Sequence, residues 1–179
     1  MDELIDILSP EGKFTGKTAL KSVAHKNGYY HATIHVWLYT KQSEVLMQQR
    51  GFNKKTYPGL WDVSVAGHIH ASETVEQGAI REVEEEVGLK ITEEDLYKIS
   101  IRKGERKHPN GIQDNEFYHV FLIELKTDFS QLKKQDEEVA GIALFDLEIL
   151  KGTNENFPMV PNTSEYFQFI SSSIQAILS

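Results

Sequence analysis

Cysteine is absent from the 179 residues of the chain. This absence excludes disulfide bonds, thiolate metal sites and a cysteine nucleophile, and it is compatible with a reducing compartment. Long apolar runs are absent as well. Nowhere do about 18 uncharged apolar residues follow one another, so no segment is predicted to cross a membrane. The first residues, MDELIDILSPEGK, are acidic and lack the apolar stretch of a signal peptide. We therefore expect a cytoplasmic protein.

Basic residues are fewer than acidic ones. Lysine and arginine number 19, against 27 aspartates and glutamates, and the net charge is -8. A general nucleic-acid-binding surface is therefore not favoured, although a local basic groove is compatible with the composition. No repeat and no Pro/Ser-rich linker divides the chain. Its length suits one compact core, so residues 1–179 are predicted to form a single domain.

Strand patterns dominate the chain. Residues 31–39, HATIHVWLY, are β-branched and aromatic, and VLMQQR follows after a polar turn, so we predict a hairpin here. Further strands are predicted at ELIDILS, before a turn in PEGKFTGK, and at WDVSVAG, LYKISIRKGER, NEFYHVFLIEL and EEVAGIALFDL. The last segment, NTSEYFQFISSSIQAIL, has the pattern of an amphipathic helix with Asn162 or Thr163 as N-cap. The pattern predicts an α+β fold, a mixed β-sheet with helices on its faces.

One predicted helix carries an unusual cluster of acids. The residues from Thr74 to Gln77 have the form of a capping box, and Gly88 stands where a glycine ends a helix. At about 100° per residue, one arc of this helix is apolar. Glu82, Glu85 and Glu86 converge on the neighbouring arc.

Three converging carboxylates are unfavourable for a helix chosen only for stability. Two of them about 5 Å apart repel by roughly 3 kcal/mol at an effective dielectric of about 20. The helix dipole also disfavours acids near the C-terminal end. A hard divalent cation reverses both effects, and Mg²⁺ or Mn²⁺ that also binds substrate phosphates suits carboxylate oxygens. The cluster therefore predicts a site for Mg²⁺ or Mn²⁺.

The stretch from Gly67 to Leu89 resembles the signature of the Nudix hydrolase superfamily, G-x5-E-x7-R-E-U-x-E-E-x-G-U, in which U is aliphatic. Every fixed position is filled, in order by Gly67, Glu73, Arg81, Glu82, Val83, Glu85, Glu86, Gly88 and Leu89. The resemblance implies an α/β/α sandwich with a catalytic loop-helix-loop that hydrolyses a diphosphate linked to another moiety. It also implies that Glu82, Glu85 and Glu86 bind the metal together with the Gly67 carbonyl, and that Glu73 pairs with Arg81 to support the loop and helix.

The residue that takes the proton from the attacking water varies within this superfamily. The resemblance leaves four candidates for this general base, which must reach the water. They are Glu85, Glu86, Glu137 and Glu138.

A second resemblance, to isopentenyl-diphosphate isomerase and its hydrolase-like relatives, extends over residues from about 20 to 150. The isomerase binds a metal with three histidines and two glutamates, and the matching positions here are His25, His31, His68, Asp114 and Glu116. Aspartate thus replaces one glutamate, and one residue fewer separates the first two histidines. The set either binds a second metal, lines the pocket near the diphosphate or packs. His35, His70, His108 and His119 are interpreted as structural.

The same resemblance matches Arg50 and Lys54 to residues that bind the diphosphate. Two features argue against isomerase chemistry: Ala66 stands where the isomerase has a catalytic cysteine, and the hydrolase signature is intact. We therefore expect a Mg²⁺-dependent enzyme that hydrolyses a nucleoside diphosphate or a derivative of one, with a small-molecule diphosphate as its partner. The isomerase and a non-enzymatic ligand-sensing module are the alternatives. Whether the protein is a monomer or a homodimer stays open.

Overall fold

The computed structural model describes residues 2–150 and 157–179. The strands are β1 (Leu4–Leu8), β2 (Phe14–Leu20), β3 (His31–Tyr39), β4 (Glu44–Arg50), β5 (Trp61–Asp62), β6 (Val65–His68), β7 (Tyr97–Lys107), β8 (Gln113–Glu124) and β9 (Val139–Asp146). The helices are α1 (Lys21–Asn27), α2 (Val75–Val87) and α3 (Ser164–Leu178). In the described part of the chain, no helix has both the length and the apolar character needed to span a membrane.

The main sheet is mixed. Its order is β5-β4-β3-β8-β7, with β6 added to β3 and β9 added to β4. β3 and β8 are parallel, in a register that places His31 beside Glu116. The other pairs are antiparallel. β1 and β2 form a separate antiparallel hairpin.

Helices cover both faces of this sheet. On one face, Ala79, Val83 and Val87 of α2 pack against strand residues such as Ile34 and Val65. On the other face, α3 buries Tyr166, Ile170 and Ile174 against residues that include Trp37 and Val120. Burying two apolar faces of one sheet is a standard layered solution. The predicted α+β sandwich with a mixed sheet is therefore confirmed.

Helix α2 begins and ends at the predicted residues. The Thr74 side chain accepts from the backbone N–H of Gln77, and the Gln77 side chain accepts from the backbone N–H of Thr74. Gly88 adopts the left-handed conformation with φ 68°, and its N–H donates to the Glu84 carbonyl. These caps satisfy backbone groups that the helix itself leaves free. Helix α3 has Thr163 as its N-cap, which is one of the two predicted residues.

Three local predictions were wrong or incomplete. Residues 14–17, predicted as part of a turn, form the first part of β2, and the helix at residues 21–27 was not predicted. The predicted hairpin of β3 and β4 is reduced to the pair Tyr39↔Val45 in the described residues. The reason is that β6 pairs with residues 33–36 of β3, and β4 pairs instead with β9 and β5. WDVSVAG is accordingly divided into β5 and β6.

Candidate functional site

The backbone of β6 lies directly against the acidic face of α2 at Gly67. A Cβ atom at this position would be 2.0 Å from Cδ of Glu82, which is closer than any side chain tolerates. A side chain at position 67 would therefore displace the Glu82 carboxylate from that space. Because Gly67 has no side chain, the backbone of β6 and the Glu82 carboxylate of α2 are in contact.

Two of the three predicted ligands of α2 are buried. Glu82 is 9% exposed and Glu86 is 4% exposed. The Glu86 carboxylate accepts from Nε2 of Gln48 at 2.9 Å and from the backbone N–H of Ala66 at 3.3 Å. Burial, assisted by the charge of Glu82, raises the pKa of Glu86 to about 8. Burial also raises the pKa of Glu82, although Arg81 opposes this. A cation beside these carboxylates would favour their charged forms and so oppose the effect of burial on both pKa values.

The third predicted ligand, Glu85, is on the exposed side of the cluster. Its carboxylate accepts from Nη1 of Arg81 at 3.1 Å, and the same nitrogen donates to Glu82 at 2.8 Å. Arg81 also contacts Glu73 through two nitrogens, each at 3.0 Å, and donates to the His68 carbonyl at 2.9 Å. Arg81 therefore joins the loop before α2, the strand β6 and two acids of the helix.

A second group of side chains converges on the opposite face of β6. Among residues 2–150 and 157–179, one set of three or more metal-ligating side chains has donor atoms all within 4.8 Å of one another. Its members, which we call the histidine group, are His25, His31, His68 and Glu116. The acids of α2 do not belong to this set.

The sheet register explains how the histidine group forms. His31 is the register partner of Glu116 across β3 and β8. His68 of β6 pairs with Thr33, which lies on the same face of β3 as His31 because side chains alternate along a strand. His25 comes from α1, and the carbonyl of Gly28, the C-cap residue of this helix, accepts from Asn115 Nδ2 of β8 at 2.8 Å.

The Nε2 atoms of the histidines face one another. His25 Nε2 and His68 Nε2 are 3.0 Å apart, and His31 Nε2 is 3.6 Å from Oε1 of Glu116. His31 Nδ1 lies 2.9 Å from the Tyr29 carbonyl, which only accepts hydrogen bonds. The proton of the neutral His31 ring is therefore on Nδ1, and Nε2 offers a lone pair to the group. Burial lowers the pKa of His68 well below its usual value, which favours a neutral ring there.

The arrangement fits a metal ion. His31 is fully buried, and its Nε2 has no hydrogen-bond partner among the described residues. Two ligands about 2.1 Å from one ion at angles of about 90–110° are about 3.0–3.4 Å apart. The 3.0 Å separation of the two Nε2 atoms of His25 and His68 agrees with this spacing.

Asp114, predicted as a member of the same ligand set, lies outside the histidine group. Its Oδ1 is 2.8 Å from Nδ1 of His25, and its Oδ2 is 2.6 Å from Nε2 of His108. Burial raises the pKa of Asp114, but the two histidines outweigh burial and leave the pKa lowered. The side chain of aspartate is one methylene shorter than that of glutamate, so its carboxylate stops behind His25 instead of joining the donors in front of it.

The two predicted phosphate-binding residues are engaged within the protein. Arg50 contacts Asp62 at 3.0 Å and donates to the carbonyl and hydroxyl of Thr56. Arg50 therefore holds the loop between β4 and β5. Lys54 contacts the carboxylate of Glu138, one of the predicted general bases. Burial would raise the pKa of Glu138, but Lys54 outweighs it and lowers the pKa.

Ala66 lies between the two groups. Its backbone N–H donates to Glu86, while its methyl group packs in the core on the side of α3. Sequence reasoning missed two side chains near the site, Gln48 and His108. Gln48 belongs to a strand with no motif, and His108 had been interpreted only as structural. Gln48 meets Glu86, which is 38 residues away in the chain, and His108 meets Asp114 across the turn that precedes β8.

Comparison with known proteins identifies relatives. A model of the NUDIX domain matches residues 29–163. An uncharacterized Nudix hydrolase of Clostridium acetobutylicum is 33% identical over 152 residues, which cover 83% of this chain and 72% of that protein. The isopentenyl-diphosphate Delta-isomerase of Escherichia coli O6:H1 is 32% identical over 152 residues, covering 84% of this chain and 81% of that enzyme. The crystal structure of a protein from Deinococcus radiodurans matches with a TM-score of 0.69 at 18% identity, covering 93% of this chain and 98% of the other.

Proposed function

The chain belongs to the Nudix hydrolase family, and we propose that it hydrolyses the diphosphate linkage of a nucleoside diphosphate or a derivative of one in a reaction that requires Mg²⁺ or Mn²⁺. The observation that carries this proposal is the contact between Gly67 and α2. Two buried carboxylates, Glu82 and Glu86, are brought there against a strand backbone that has no side chain in the way.

Glu82, Glu85 and Glu86 would hold the cation, together with the carbonyl of Gly67. The pKa of buried Glu86 is raised to about 8, so without a cation this carboxyl is largely protonated at neutral pH. Carboxylate oxygens are the donors that Mg²⁺ prefers. A divalent ion held by these residues would supply positive charge for the substrate phosphates and would make a nearby water easier to deprotonate.

The protein's own residues then have separate tasks. Arg81 orients Glu82 and Glu85 through one nitrogen while it is fixed to Glu73 by two others. Glu85 is the acid of this cluster that faces solvent, with a half-exposed side chain, so it is accessible to a water molecule. Glu138 is another candidate base, and its ion pair with Lys54 lowers its pKa and so makes it a weaker base. A phosphate group of the substrate would compete for Lys54 and release Glu138.

The histidine group is a second candidate metal site in this proposal. Gly67 and His68 are adjacent on β6, so one residue faces the acids of α2 while the next belongs to the histidine group. The His68 carbonyl also accepts from Arg81. The two sites are therefore joined through two consecutive residues, and a substrate diphosphate at this edge of the sheet would lie near both.

Isomerase activity is the first alternative, since the isomerase of Escherichia coli O6:H1 is 32% identical. The residue at position 66 is alanine, and its methyl group cannot give or take a proton. Conversion of isopentenyl diphosphate into its isomer by the purified chain would reinstate this alternative. The second alternative is a ligand-sensing module, which an intact set of acids on α2 does not favour.

The experiment is a substrate panel. The purified full chain is incubated with nucleotides, sugar nucleotides and isoprenoid diphosphates, with Mg²⁺, Mn²⁺ or chelator, and released phosphate and monophosphate are measured. We expect metal-dependent hydrolysis of at least one nucleoside diphosphate compound. Glu85→Gln and Glu86→Gln should each reduce turnover by at least about 100-fold, whereas Glu84→Gln, on the exposed side of the same helix, should not. No release from any compound would favour the sensing module.

A further inference from the structure

We infer that Asp114 and His108 form a pair behind His25 that holds Nε2 of His25 towards a transition-metal ion, whose protein ligands are three imidazoles and the Glu116 carboxylate. This inference rests on the metal binding proposed above for the histidine group. It goes further by giving Asp114 and His108 a positioning role towards that metal.

The Asp114 carboxylate contacts two histidine rings. Both of its oxygens are engaged on the side of His25 that faces away from the histidine group. Oδ1 contacts His25 Nδ1 at 2.8 Å and Oδ2 contacts His108 Nε2 at 2.6 Å. The side chain of Asp114 is 20% exposed, that of His25 is 14% exposed and that of His108 is 6% exposed. The carboxylate is thus enclosed between two rings, and it is absent from the set of converging donors.

The contact with Asp114 determines which ring nitrogen of His25 carries the proton. A ring nitrogen with a lone pair would repel a carboxylate at 2.8 Å, so Nδ1 of His25 carries a proton. The neutral ring then has its lone pair on Nε2, which faces His68. Oδ1 of Asp114 has no well-aligned donor among the described residues, so the contact with His25 is bent. Carboxylates behind metal-binding histidines fix the ring in this way and increase its basicity.

His108 is itself held in place by a turn and by a ring contact. His108 begins a tight turn in which its N–H donates to the Ile112 carbonyl at 2.8 Å and its carbonyl accepts from the N–H of Gly111 at 3.0 Å. Its ring also packs edge-on against Tyr57 at 5.2 Å. His108 therefore holds the second oxygen of Asp114 from a fixed position, and Asp114 in turn limits the rotation of His25.

The donor atoms of the histidine group favour a transition-metal ion. Imidazole donors suit Zn²⁺, Co²⁺ and Ni²⁺, while Mg²⁺ prefers oxygen donors and retained water. The histidine group offers three imidazoles for one carboxylate. The acids of α2 offer only oxygen. We therefore expect the two neighbouring sites to select different ions, with a transition metal in the histidine group.

The test uses Co²⁺ as probe, since its visible absorption reports the number and type of ligands. The full chain, free of other metals, is titrated with Co²⁺ in competition with a chelator. We expect Asp114→Asn to raise the Kd for Co²⁺ by about 10- to 100-fold and His108→Ala to raise it by about 3- to 10-fold. At saturating Co²⁺ the absorption bands of Asp114→Asn should match those of the unmodified chain. The matched control is His119→Asn, which changes a histidine of the same strand that lies outside the group and should leave the Kd unchanged.

Circular dichroism in chelator establishes that each variant is folded. Should Asp114→Asn not fold, His108→Ala tests the inference by itself. Unchanged Kd values in both variants would overturn it. Altered absorption bands in saturated Asp114→Asn would also overturn it, because Asp114 would then be a ligand of the ion. If the unmodified chain binds no Co²⁺, or if His31→Ala binds it equally well, the proposed metal site itself fails, which is a different result from the loss of the Asp114 effect alone.

Discussion

Arg81 contacts both oxygens of Glu73 side by side, Nε to Oε1 at 3.0 Å and Nη2 to Oε2 at 3.0 Å. The same guanidinium also reaches Glu82, Glu85 and the His68 carbonyl. Paired nitrogens and oxygens of this kind are among the strongest charged contacts in proteins. One side chain therefore connects the loop before α2, the helix itself and the strand that carries Gly67.

Removal of this guanidinium should destabilise the protein. Arg81→Ala leaves Glu73 and Glu82 partly buried without their partner, and we expect the free energy of unfolding to fall by about 2 to 4 kcal/mol. Urea unfolding in chelator measures it. The matched control is Lys90→Ala, whose exposed contact with Glu84 at 3.6 Å should be worth less than about 0.5 kcal/mol. Equal effects of both variants would contradict the role assigned to Arg81.

A methyl group at position 67 should disable catalysis. In Gly67→Ala the added Cβ would lie 2.0 Å from Cδ of Glu82, so the carboxylate must move away from the strand. Displacements of about 1 Å in a catalytic site cost on the order of 100-fold in rate, and we expect at least that loss of kcat. The control is Gly141→Ala, where the nearest neighbour would be 3.6 Å away. Wild-type turnover by Gly67→Ala would show that Glu82 does not act from its position beside the strand.

Glu86 should make the metal-free protein less stable as the pH rises. Burial, with the charge of Glu82, raises its pKa to about 8, whereas the unfolded chain loses this proton near its usual pKa of about 4.3. Between these values the folded state binds more protons than the unfolded state, so the free energy of unfolding falls with increasing pH. The contribution is fully present below about pH 4.3 and is lost as the pH rises through 8.

Glu86→Gln should therefore reduce this fall. We expect the free energy of unfolding to fall less between pH 5 and pH 8 in the variant than in the unmodified chain, as measured by urea unfolding in chelator. The control Glu84→Gln changes an exposed acid of the same helix and should keep the original pH dependence. A Glu86→Gln profile parallel to that of the unmodified chain would refute the assignment of a buried, protonated Glu86.

His119 should affect stability in acid with the opposite sign. Burial, with help from Lys98, lowers its pKa to about 4, and its Nδ1 has no hydrogen-bond partner among the described residues. Between about pH 6.5 and 4 the unfolded chain binds a proton that the folded chain does not, so stability is lost as the pH falls through this window. In His119→Asn, the difference in urea midpoint between pH 7 and pH 4.5 should be smaller than in the unmodified chain. An unchanged difference would show that His119 is protonated equally in both states.

The sequence by itself determined the features that depend on neighbours along the chain. The capping box at Thr74, the end of the helix at Gly88 and the shared arc of Glu82 and Glu86 follow from helix periodicity and local hydrogen bonds. The requirement for glycine at position 67 also belongs to this motif, although its reason, the adjacent Glu82 carboxylate, became visible only in the structure.

The tertiary structure alone decided the features that depend on strand register and on chain segments far apart. His31 meets Glu116 because β3 and β8 are parallel, whereas the sequence had predicted a simple hairpin for β3. Asp114 lies behind His25 because its side chain is too short to reach the donors, and His108 contacts it from the turn before β8. Arg50 and Lys54 are engaged with Asp62 and Glu138, which no local pattern predicts. Such contacts are set by the packing of the sheet and its helices, and a single sequence records them only as unconnected residues.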